Sequence, residues 1–295
     1  MSSPYVPRRP PETLECLLRG LRHHVTRWRG TDAEPVVLLH GWMDTGDTFQ
    51  FLVDAMADRR SCIAPDWRGF GRSAWPADGY WFPDYFADLD ALLDEFVPGV
   101  PVTLVGHSMG GNIATLYAGI RPERVHRVVC IEGFGLGRTQ PEQAPGRYRE
   151  WLRQLREPPE FANFPSLESF ARFLERRNPR LTPERAAFIA EAWTAPQPDG
   201  SVCVRADPAH KRINPVLYRR EEAEACWREI TAPVLYVIGE QSDFLARLGA
   251  DADPAVMARH IRRLEPCTVP DAGHMVHHEQ PGRLAQAIET FLECG

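Results

Sequence analysis

A chain of 295 residues with 43% hydrophobic and 25% charged residues has the composition of an ordinary globular protein and can bury a core without covalent staples. A net charge of −6 and a pI near 6.0 exclude the concentrated positive field that a nucleic-acid partner requires. The seven cysteines are an odd number and include no C-x-x-C pair, so neither a disulfide framework nor a zinc site is expected, and reduced thiols in a cytoplasmic protein are.

Residues 1–11 are polar and proline-rich and lack the apolar stretch of a secretory signal. No run of about 18 apolar residues occurs, so no membrane partner is expected. From Leu14 to Trp28 the pattern reads as two short strands around Gly20. Pro35 to Leu39, Ser61 to Pro65 and Pro101 to Val105 are continuous apolar runs, as in strands buried on both faces. Between the second and third lies a helical pattern, Phe82 to Phe96, with Phe86, Leu89, Leu92, Leu93 and Phe96 on one side. A helix that begins directly after Ser108 and runs to about Ile120 follows, then strands at Val125–Ile131, Ala232–Ile238 and Cys267–Pro270 and a last helix at Gly282–Leu292. Strands alternating with helices imply a mainly parallel sheet covered on both sides.

From Gly135 to about Trp227 the alternation stops. Helical patterns at Tyr148–Leu155, Leu167–Arg176 and Pro183–Trp193 come without strand runs. The expected organisation is a core of residues 13–134 and 229–292 with a helical cap, 135–228, inserted between two strands. Such a cap would sit over the carboxyl ends of the strands, where open α/β sheets bind ligands.

One motif carries chemistry. Gly106-His-Ser-Met-Gly110 places a serine between glycines, after an apolar strand and before an amphipathic helix. A sharp strand-to-helix turn there lifts the Ser108 hydroxyl clear of the sheet, and side chains two positions either side would collide with the turn. His274, in Pro270-Asp-Ala-Gly-His-Met-Val-His-His-Glu279, lies between the last strand and the last helix and is the candidate base. His277 and His278 read as capping or surface residues, and His107 as structural or pocket-lining.

Together Gly106-His-Ser-Met-Gly-Gly111, His40-Gly41-Trp42 and Pro65-Asp-Trp-Arg-Gly-Phe-Gly-Arg-Ser73 resemble the nucleophile elbow, oxyanion loop and D-x-x-G-x-G-x-S turn of α/β-hydrolases. The resemblance implies the α/β-hydrolase fold and a serine hydrolase of the carboxylesterase-like branch. It implies backbone N–H donors at Trp42 and Met109 for the oxyanion. The family's chain order of nucleophile, acid, base makes Asp243, after the fifth strand, the expected acid; Glu132, after the fourth, is the alternative. A small-molecule carboxylic ester is the expected substrate, cleaved without cofactor or metal. Two rivals stay open: carbon–carbon bond hydrolysis of the meta-cleavage type, whose enzymes usually carry asparagine where this chain has His107, and a non-catalytic ligand receptor on the same fold. Gly133-Phe-Gly-Leu-Gly137 lacks the spacing of a nucleotide fingerprint.

Overall fold

The computed structural model describes residues 4–32 and 34–293; Cys294 lies outside them. Strands β1 (Glu12–Leu18) and β2 (Leu21–Trp28) form a hairpin whose two turn residues, Arg19 and Gly20, have φ of 50° and 80°. Positive φ at both turn positions matches the right-handed twist of the flanking strands. Strands β3 (Val36–Leu39), β4 (Cys62–Pro65), β5 (Val102–His107), β6 (Val125–Ile131), β7 (Thr194–Pro196), β8 (Val202–Val204), β9 (Val234–Gly239) and β10 (Leu264–Val269) follow. The helices are α1 (Gln50–Ala55), α2 (Pro83–Phe96), α3 (Met109–Ile120), α4 (Ala144–Arg156), α5 (Leu167–Arg177), α6 (Pro183–Trp193), α7 (Arg220–Arg228), α8 (Asp243–Leu248), α9 (Pro254–Met257), α10 (Val276–Glu279) and α11 (Pro281–Glu293).

Eight strands make one sheet in the order β1-β2-β4-β3-β5-β6-β9-β10, antiparallel across the first two pairings and parallel across the rest. Successive side chains of a strand go to opposite faces, so a run apolar throughout feeds two cores. Val36, Leu38, Val105, Val129, Leu235 and Val237 pack with Leu52 and Val53 of α1 and Leu284 and Ile288 of α11. Val37, Leu39, Leu104, Val128, Val234 and Tyr236 go to the other side, against Leu89 and Leu92 of α2, Ile113 and Tyr117 of α3 and Trp227 of α7. Each such side chain, fully buried, contributes about 1.5–3 kcal/mol. Among the described residues no helix is long and apolar enough to cross a membrane.

The segment between β6 and β9 carries α4 to α7. It also holds the small antiparallel pair β7–β8, which the sequence patterns did not reveal. Phe170, Leu174, Ile189 and Ala190 build a core of its own with Val202, anchored on Phe51 of α1. Phe164, Phe170 and Phe173 pack on one another and belong to this core. The segment's last helix, α7, instead packs into the core against α3, where Trp227 Nε1 donates to Thr115 Oγ1 at 3.2 Å. A bridge between Phe70 and Ala206 and a hydrogen bond from Trp193 Nε1 to Asp44 Oδ1, 2.8 Å, tie the segment to loops at the carboxyl ends of β4 and β3.

Candidate active site

Four loops at the carboxyl ends of β3, β5, β6 and β10 meet, and each holds a non-glycine residue at positive φ: Met43 at 64°, Ser108 at 51°, Glu132 at 56° and Asp271 at 56°. Such conformations cost on the order of 1–3 kcal/mol each and persist where the surroundings enforce them. At Ser108 the enforcement is visible. Its N–H donates to Ile131 O at 2.8 Å, and Ser108 is the single residue between the end of β5 and the start of α3. A Cβ on Gly106 would lie 2.2 Å from Gly110 O, and one on Gly110 would lie 2.0 Å from Leu39 O. The glycines of the motif are therefore steric requirements of the turn. The start of α3 directs its positive end at the same point.

The loop after β3 lies against the elbow. A Cβ on Gly41 would meet His107 Nδ1 at 2.9 Å and the Ser108 Cβ at 3.2 Å. This places the backbone of the next residue, Trp42, beside Ser108, with Met109 on the other side of the nucleophile in the chain. The Trp42 side chain is 53% exposed, so any role in an oxyanion hole belongs to its backbone. His40, in the same loop, is buried and structural. Its Nε2 accepts from Trp67 N at 2.9 Å and its carbonyl from Trp67 Nε1 at 3.1 Å.

The D-x-x-G-x-G-x-S turn has the same supporting character. Asp66 accepts from Gly46 N at 2.8 Å and Arg72 N at 2.9 Å, and Ser73 Oγ donates to Asp66 O at 2.6 Å. A Cβ on Gly71 would sit 2.1 Å from Asp66 Oδ2. The motif is thus a clamp under the β3 loop.

The carboxylate at the candidate base is Glu132, which corrects the expectation of Asp243. Glu132 Oε2 lies 3.0 Å from His274 Nδ1, and its side chain is fully buried. Its N–H donates to Val237 O at 3.0 Å, its Oε1 accepts from Gly239 N at 2.8 Å, and Ser242 Oγ donates to its Oε2. Asp243 opens α8 and is exposed to solvent. The loop after β9 does reach His274, but through its neighbours. Ser242 holds Glu132, and the Phe244 ring stacks on the His274 imidazole at 4.5 Å and 17°. Sequence reasoning missed Ser242 and Phe244, which carry no motif.

His107 turns away from the nucleophile, as expected, and its Nε2 lies 2.9 Å from the backbone oxygen of His274. Elbow and base loop are thereby joined. His277 and His278 depart from expectation, because both are buried. His277 Nε2 is 3.1 Å and His278 Nε2 3.7 Å from Asp44 Oδ2. Burial holds His107 and His278 well below the ordinary imidazole value, with His277 next to each adding to it. Burial pushes the Asp44 carboxyl upward, but His278, His277 and His40 around it outweigh that and hold it below the usual carboxylate range. Glu279 accepts from Gly273 N at 2.5 Å and Asn178 Nδ2 at 2.8 Å, which pins the residue preceding His274.

Residues 34–281 match the model of the alpha/beta hydrolase fold family. A 3-hydroxybutyrate-oligomer hydrolase from Cupriavidus necator is 30% identical over 294 residues, covering 94% of this chain and 96% of the relative. A serine hydrolase-like protein from Danio rerio is 25% identical over 274 residues, covering 90% and 83%. Among solved structures, the thioesterase domain from the curacin biosynthetic pathway superposes with a TM-score of 0.83 at 25% identity, covering 95% of this chain and 99% of that domain. The chain belongs to the α/β-hydrolase family.

Proposed function

We propose that this protein is a serine hydrolase that cleaves carboxylic esters through an acyl-enzyme on Ser108, with His274 as base and Glu132 as acid. The observation that carries the reading is the Glu132–His274 hydrogen bond beside a strained serine elbow. The bond is to Nδ1, which leaves Nε2 as the nitrogen to serve the nucleophile. His274 Nε2 takes the Ser108 proton as Oγ attacks the carbonyl carbon. The carbonyl oxygen gains negative charge and is received by the N–H groups of Trp42 and Met109. The bond to the leaving oxygen breaks and His274 returns its proton to that alcohol. Water, deprotonated by the same imidazole, then releases the acid and frees Ser108. Glu132 fixes the imidazole's tautomer and stabilises its cationic form.

The relatives support acyl chemistry. One is named for hydrolysis of 3-hydroxybutyrate oligomers and one is a thioesterase. The segment 135–228 is assigned the role of a cap, and a small-molecule ester that of substrate. A p-nitrophenyl ester series of increasing acyl length tests this, with Ser108→Ala as control. A burst of p-nitrophenol from the unmodified enzyme and a loss of turnover of about 10³-fold or more in Ser108→Ala are expected. Faster turnover of a meta-cleavage dienone than of any ester would replace the ester reading with carbon–carbon hydrolysis.

A further inference from the structure

No spacing along the chain suggests a metal motif, yet three buried ligand groups meet behind the elbow. Asp44, His107 and His277 each bring one donor atom, all within 4.8 Å of one another. They arrive from the loop after β3, the end of β5 and helix α10. We propose that Asp44, His107 and His277 form a site for one divalent transition-metal ion of the Zn²⁺ or Co²⁺ class, which clamps the loops bearing the oxyanion turn, the nucleophile and the base.

The hydrogen bonding around each donor supports this. His107 Nε2 faces the carbonyl oxygen of His274, which can only accept, so Nε2 carries the hydrogen and Nδ1 holds a lone pair. That Nδ1 is buried and has no hydrogen-bond partner among the described residues. A ligand imidazole whose other nitrogen donates to a carbonyl is the usual second layer of a metal site. Asp44 is oriented in the same way. Its Oδ1 accepts from Thr45 N at 2.8 Å, Thr48 Oγ1 at 2.6 Å and Trp193 Nε1 at 2.8 Å, so Oδ2 is the oxygen that faces His277.

Oδ2 and His277 Nε2 are 3.1 Å apart, close to the edge of a tetrahedron whose metal–ligand bonds are about 2.0 Å. In the metal-bound form Nε2 of His277 would present its lone pair to the ion and Nδ1 would carry the hydrogen. His278 Nε2, 3.7 Å from Oδ2 and buried without a hydrogen-bond partner among the described residues, is next to the site. Imidazole with carboxylate suits zinc and its neighbours better than magnesium or calcium. His274 is not a ligand, since its ring faces Glu132. The ion would act on it through His107 and its own backbone oxygen.

Buried donors are loaded as the chain folds. The test is therefore expression of the full chain in minimal medium with Zn²⁺ or Co²⁺, and refolding with Co²⁺, each followed by desalting. Bound metal, the visible absorption of Co²⁺ and Tm are then read. About one ion per chain, with the intense bands of a four- or five-coordinate ion and a raised Tm, is the expected result. His107→Asn and His277→Gln, checked for folding by circular dichroism, should weaken Co²⁺ binding by about 100-fold or more. Ser108→Ala should bind it unchanged, which separates this site from the proposed acyl chemistry. Folded protein that retains no ion overturns the proposal, as does retention undiminished in both variants. If the variants do not fold, the unmodified protein decides, because the weak bands of six-coordinate hydrated Co²⁺ also overturn it.

Discussion

Glu132 receives three donors, Gly239 N–H, Ser242 O–H and His274 Nδ1–H, on a fully buried carboxylate. Glu132→Gln keeps the shape and removes the charge that would stabilise the imidazolium. It should lower kcat for p-nitrophenyl esters by about 10³–10⁴-fold, while Asp243→Asn stays within about threefold. Equal losses in the two variants would contradict the assignment. Ser108 and His274 each sit in a local signature of the chain. Which carboxylate meets the His274 imidazole carries no such signature, and the reason is geometric. β6 and β9 are parallel neighbours, with Ile131 opposite Val237. Residues just beyond their ends lie side by side, and either could face the same histidine. Which one does depends on the left-handed turn at Glu132, and nothing in residue order announces it. A charged residue directly after the apolar run Val128–Ile131 was the available signal. The buried His277 and His278 were misread for a related reason, because their partner Asp44 is far away in the chain.

The elbow shows how much of an element depends on backbone contact. In Gly110→Ala the new methyl meets Leu39 O, a backbone atom that cannot rotate aside. A loss of about 3 kcal/mol in urea unfolding is expected, together with loss of esterase activity. Gly146→Ala, in α4 with open space around its Cβ, should instead stabilise by about 0.5 kcal/mol. Similar unfolding midpoints for the two variants would refute this account of the turn. The inner strands β3, β4 and β9 were legible because double-sided burial writes itself as an unbroken apolar run. β7 and β8 were not, because three residues each are too few to establish a period.

At the scale of the molecule, the segment 135–228 is held to the core partly by His210. Its ring stacks on Phe70 at 3.8 Å and packs against Tyr80 at 3.6 Å, with Arg68 O 3.3 Å from Nε2. Burial pulls its pKa down from 6.5 to about 4, against a smaller opposing pull from the Arg68 carbonyl and Asp207. The unfolded chain therefore takes up this proton first. The stability linked to His210 is complete above pH 6.5 and is lost as pH falls toward 4. The loss should be roughly 2–3 kcal/mol. His210→Phe keeps an aromatic stack and removes the titration, so urea unfolding at stepped pH should show a shallower acid limb than the parent; parallel curves would exclude this role.

The most direct test of the proposed chemistry is rapid-quench mass spectrometry during turnover of a p-nitrophenyl ester. The protein mass should rise by one acyl group, mapped to the peptide containing Ser108 and absent from Ser108→Ala. An adduct on a different side chain, or undiminished hydrolysis by Ser108→Ala, would contradict the account.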